Sequence, residues 1–80
     1  MLEKLRQGRK IVGAKALLRK IAAGEVRYAY VAQDVDLFIS QRVREVCEEK
    51  RVYLVEVRSM KELGEACGVG VPTAAAGLLM

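Results

Sequence analysis

The residues best placed for chemistry in this chain are cations near its start. In "IVGAKALLRK", residues 11–20, Gly13 stands where a helix should begin, and Lys15, Arg19 and Lys20 follow. A helix N-terminus carries unpaired amides and a partial positive charge, so phosphate binds there readily. Gly13 has no side chain to keep another backbone away. Lys15 and Arg19 are one helical step of four apart and line one edge, which can follow a nucleic-acid strand. Lys20 lies further round and is expected to be only solvated. A tight turn with a solubilising face would use the same residues, so both readings stay open on spacing alone.

The charge distribution favours the first. Residues 1–20 hold seven cations, Lys4, Arg6, Arg9, Lys10, Lys15, Arg19 and Lys20, against Glu3, a balance of +6. Residues 21–80 carry a balance of −2, and the whole chain +4. Such asymmetry points to an anionic partner, most commonly nucleic acid.

Other chemistry is poorly provided for. The sequence has no histidine, which excludes His-dependent triads and dyads. Its serines are Ser40 and Ser59, and Ser59 fits a helix cap. Asp34 and Asp36 could pair for acid–base or metal work, but no third acid, histidine or nucleophile joins them in sequence. Just before a helix, they suit capping instead. Cys47 and Cys67 have no C-x-x-C spacing and read as buried thiols. "GVGVP" lacks the residues that would make it a phosphate loop. No enzyme, metal or cofactor is expected.

The elements that must position the basic stretch are short and alternate. With 80 residues, 52% of them hydrophobic, one domain over residues 1–80 is expected. "LEKLRQG" reads as a helix with Leu2 and Leu5 on one face, ended by Gly8. "KIVG" reads as a strand. Residues 14–23 form a helix with Ala14, Leu17, Leu18 and Ile21 on its apolar side, stopped by Gly24. "VRYAYVA" is a strand. Asp36 precedes a helix over residues 37–50, with Ile39, Val43, Val46 and Cys47 inward and an Arg44–Glu48 pair outside. "VYLVEV", residues 52–57, is a third strand. "SMKE" is a capping box that opens a helix reaching about Cys67. "TAAAGLLM" is alanine-rich, but the alternation of elements assigns it to a last strand. Helices should cover both sheet faces, which would put Tyr28, Tyr30 and Tyr53 in the core. The first ten residues lack the apolar run of a secretory signal, and no stretch approaches the roughly 20 apolar residues of a membrane span. A cytoplasmic protein with no membrane association is expected.

Over essentially its whole length the sequence resembles the kink-turn RNA-binding ribosomal protein family of archaeal and eukaryotic ribosomes and small nucleolar particles. In particular it resembles the short stand-alone bacterial members. The matching stretches are "GAKALLRKIAAGEVRYAYVAQDVD" and "CEEKRVYLVEVRSMKELGEACGVGVPTAAAGLL". The resemblance implies a single three-layer α/β/α sandwich with a four-stranded mixed sheet. It implies a monomer that binds a kink-turn in structured RNA, ribosomal or riboswitch, in company with the ribosome. It places the RNA contacts at Gly13, Ala14, Lys15, Ala16 and Arg19, and in the loop of Val69, Gly70, Val71 and Pro72. Asp36 matches an acid that holds a flipped-out base.

Two positions depart from that pattern. Many members have Asn-Glu, and bacterial ones often Lys-Gln, where this chain has Lys15 and Ala16. The second of those side chains reads guanine edges, and alanine has nothing to read with. Val71 lies where relatives can carry arginine. Binding by RNA shape and charge without kink-turn preference, and a protein–protein module, are the alternatives.

Overall fold

The structure is a computed structural model and describes residues 2–80. The elements follow in the order α1 (Leu2–Gln7), β1 (Lys10–Val12), α2 (Ala14–Ala22), β2 (Val26–Ala32), α3 (Leu37–Lys50), β3 (Tyr53–Val57), α4 (Met60–Cys67) and β4 (Ala75–Leu79). The four strands form one sheet in the order β1-β4-β2-β3. β2 and β3 run parallel, while β4 is antiparallel to both β1 and β2.

Alternation along β2 divides the core into two layers. Tyr30 and Ala32 face one way and pack with Leu5 of α1 and Leu63 and Cys67 of α4. Ala29 and Val31 face the other way and pack with Leu17 and Ile21 of α2 and Val43 and Cys47 of α3. A strand covered on both faces must be apolar at nearly every position, as "VRYAYVA" is. The three-layer α/β/α arrangement with a mixed sheet is therefore present as expected. Both thiols are buried.

β4 shows context overriding propensity. "AAGLL" is a poor strand sequence, yet it lies between β1 and β2 and bonds to both. Its backbone groups are satisfied on both sides, and its small side chains suit a sheet with helices pressed on each face.

Three expectations need correction. Tyr53 is not core: it is 64% exposed, because it opens the edge strand β3, and only the later residues Val55 and Val57 of that strand pack in the layer with α4. Arg44 pairs with Glu56 of the neighbouring strand, at 3.1 Å, and not with Glu48. Lys20 is not merely solvated: its Nζ is 2.9 Å from Glu25 Oε1. The strand edges also move by one residue. Gly13 leaves β1 to cap α2, and Val52 precedes β3.

Candidate nucleic-acid interface

The mouth of α2 is shaped by Gly13. Its φ of 108° and ψ of 143° belong to a region essentially reserved for glycine. A Cβ there would meet nothing within 4 Å, so the backbone angle and not crowding demands glycine. The Gly13 amide donates to the Ala75 carbonyl at 2.8 Å, which ties the turn to the start of β4. With no capping side chain, the first intrahelical bond is Leu17 to the Gly13 carbonyl. The amides of Ala14, Lys15 and Ala16 thus face outward with no acceptor among the described residues. Lys15 and Arg19 are exposed and form no ion pair among the described residues, so their charge is available.

The turn after β2 arrives beside this mouth. The Ala32 amide donates to the Ala74 carbonyl at 2.9 Å, and Gln33 to Val57 at 2.8 Å. Asp36 caps α3 as expected, its Oδ1 accepting from the Phe38 amide at 2.8 Å. Its second carboxylate oxygen has no protein partner among the described residues and is exposed to solvent. Asp34 also caps a helix, but a distant one. Its Oδ1 accepts from the Met60 amide, at the start of α4, at 2.8 Å.

The third segment is the loop from α4 to β4. Gly68 ends α4 in the left-handed conformation. Thr73 is buried; its amide donates to the Met60 carbonyl at 3.0 Å and its hydroxyl to the Val71 carbonyl at 3.2 Å. The loop lies so close on α4 that a Cβ on Gly64 would overlap the Val71 carbonyl. Seated this way, Val69 and Val71 turn outward, 41% and 60% exposed, beside exposed Gly70 and Pro72.

All three segments share one end of the sheet, where β1, β2 and β3 finish and β4 begins. That end holds Gly13, Ala14, Lys15 and Ala16 at the start of α2, Asp36 before α3, and the loop 69–72, while Arg19 lies a further turn along α2, past its midpoint. The open amides and Lys15 follow β1, the apolar loop leads into β4 and the carboxylate follows β2, so in sheet order the loop lies between the other two. Phosphate, a base edge and a base face can each be met there. Among the described residues no cluster of histidine, cysteine or acids could hold a metal ion.

Three residues escaped the sequence reading. Leu37 and Phe38 stand 67% and 82% exposed beside Asp36. The available signal was that they fall off the inward stripe of Ile39, Val43 and Val46. Gly64, which lets the loop seat, gave none, because a helical glycine does not announce what approaches it.

The chain matches the family model described as "Ribosomal protein L7Ae/L30e/S12e/Gadd45 family" over residues 1–79. It is 37% identical over 68 residues to "RNA-binding protein TTE2299" of Caldanaerobacter subterraneus subsp. tengcongensis, which spans 85% of this chain and 83% of that one. It is 37% identical over 75 residues to "RNA-binding protein YbxF" of Geobacillus stearothermophilus, spanning 94% and 92%. The solved structure of the "Giardia lamblia 15.5kD RNA binding protein" superposes with a TM-score of 0.92 at 30% identity, covering 99% of this chain and 70% of that one.

Proposed function

The chain belongs to the ribosomal protein L7Ae/L30e/S12e/Gadd45 family, and on that premise we propose that it is an RNA-binding protein that recognises a kink-turn in structured RNA. The names of its relatives support RNA as the ligand. They also support a binding protein and not an enzyme. The observation that carries the reading is α2, whose mouth has amides without acceptors and whose Lys15 and Arg19 have no ion-pair partner among the described residues.

The mechanism is one of selection. A sharp bend in RNA crowds phosphates, which repel one another. Lys15, Arg19 and the amides of Ala14, Lys15 and Ala16 offset that repulsion and so favour the bent form over the open one. A bend also splays bases out of the stack. The loop of Val69, Gly70, Val71 and Pro72 covers such a base, and the outward oxygen of Asp36 accepts a hydrogen bond from its edge. Residues 1–80 act as one domain and as a monomer, in the cytoplasm and on ribosomal or riboswitch RNA. No helix among the described residues is long and apolar enough to cross a membrane.

Ala16 favours a second reading. Its methyl group cannot hydrogen-bond a guanine edge, so recognition would rest on RNA shape and phosphate alone. Titration against a kink-turn stem, and against the same stem with its sheared G·A pairs replaced, separates the two. Preference for the intact stem supports kink-turn recognition. Equal affinity supports shape and charge. Binding to neither at low salt refutes both and leaves a protein–protein module.

A further inference from the structure

The opposite end of the sheet is also cationic, and kink-turn recognition makes no use of it. Two adjoining hollows there share Arg27 and Met80. Lys4 and Arg9 line one, and Lys50 and Arg51 line the other, with no aspartate or glutamate in either lining. None of these five cations has an acidic partner among the described residues. Glu25, in a neighbouring hollow, is already neutralised by Lys20.

Aromatic rings border the same end. Tyr53, 64% exposed, meets Tyr28 edge to face, with ring centroids 5.9 Å apart. The Nζ of Lys4 is 5.0 Å from the Tyr28 centroid. Tyr53 thus leaves much of a large ring open to a ligand at the cationic end.

Arg51 adds a backbone observation. It follows α3 with φ 59°, and among the described residues no other non-glycine residue has a positive φ. Helices usually end on glycine at such a position, because glycine has no Cβ to crowd. Here an arginine is held there, and it lines the basic hollow.

We propose that this end binds a second, unpaired segment of RNA, with Arg9, Arg27 and Arg51 on its phosphates and Tyr53 stacked on a base. Guanidinium groups match phosphate geometry with paired donors. Stacking needs an unpaired base, because duplex bases keep their faces covered, and it tolerates any sequence. The protein would then hold a bent stem at one end of the sheet and a flanking single strand at the other. The inference takes its ligand class from the RNA-binding reading, but its residues are separate.

The test is a nitrogen-15 NMR titration of the full chain with a short oligouridine, which cannot form a kink-turn. Amide shifts at Arg27, Arg51 and Tyr53, with Gly13, Lys15 and Val71 still, are expected. Shifts confined to the latter three, or none at low salt, overturn the proposal. Two variants sharpen it. Arg51→Gly relieves the backbone, so its melting temperature should hold or rise while oligouridine binding weakens. Its salt slope should fall by roughly 0.7, the value for one single-strand phosphate contact. Tyr53→Ala should weaken oligouridine binding by at least about fivefold, as for one lost stack. Unchanged oligouridine binding in both variants also overturns it. Kink-turn binding without oligouridine binding refutes this inference alone. Oligouridine binding at the distal end without kink-turn preference refutes only the kink-turn reading.

Discussion

Asp34 Oδ1 accepts a hydrogen bond from the Met60 amide at 2.8 Å, across 26 residues of chain. The Met60 carbonyl in turn accepts from Thr73. One residue at the head of α4 therefore joins the turn after β2 to the loop before β4, two of the three segments of the candidate interface. Asp34→Ala should lower stability by about 1 kcal/mol, the usual worth of a helix cap. A urea titration measures it, and NMR should show the Thr73 amide shifting with it. A shift confined to α4 would mean that the two loops are not mechanically joined.

Arg19→Ala should weaken RNA binding and leave the melting temperature unchanged, because the side chain is exposed and has no ion-pair partner among the described residues. The plot of log affinity against log salt should flatten by roughly 0.7–0.9 for the one lost phosphate contact. A parallel plot would remove Arg19 from the interface.

Ala16→Gln tests base reading. A glutamine there restores a side chain able to hydrogen-bond a base edge. One good pair of contacts gives about 1–3 kcal/mol of discrimination. Binding to an intact kink-turn should tighten accordingly, with little change on the stem lacking sheared pairs. Equal gains on both RNAs would show that the added side chain is not reading guanine.

Gly64→Ala tests the loop seat. Its Cβ would overlap the Val71 carbonyl, which is backbone and cannot rotate aside. We expect a loss of about 1–3 kcal/mol, as for overpacking elsewhere. Loop 69–72 should move with it, and RNA affinity should fall by more than in Asp34→Ala. Unaltered chemical shifts at Val71 would show that the loop can slide without cost.

Burial disfavours the thiolate and so raises the pKa of both thiols, Cys47 and Cys67, above the ordinary thiol value of 9.0. Desolvation likewise raises that of Tyr30. A raised native value means that the folded state holds protons the unfolded chain has already released. Their contribution to stability is therefore full below the ordinary value and is lost as pH rises through the native one. Melting temperature should fall as pH climbs above about 9, and substituting both cysteines by alanine should flatten that fall. Iodoacetamide should label neither thiol at neutral pH until the protein unfolds.

Much of this protein was readable along the chain. The helical period at Ile39, Val43, Val46 and Cys47 set α3, and Asp36 and Ser59 marked where helices begin. Gly13 marked the open mouth of α2, and the alternation of elements assigned "AAGLL" to a strand against its propensity. These are relations between near neighbours, or a pattern repeated through the chain, and a sequence displays both.

Only the tertiary structure decided which strand lies at the edge, and with it the exposure of Tyr53. It gave Asp34 a helix 26 residues away, turned Arg44 from Glu48 to Glu56, and revealed why Gly64 has no side chain. It also gathered Lys4, Arg9, Arg27, Lys50 and Arg51, scattered from the first helix to the end of the third, at one end of the sheet. Strand order and loop seating are fixed by packing between segments far apart in sequence. Spacing along the chain carries no record of those distances until the sheet closes them.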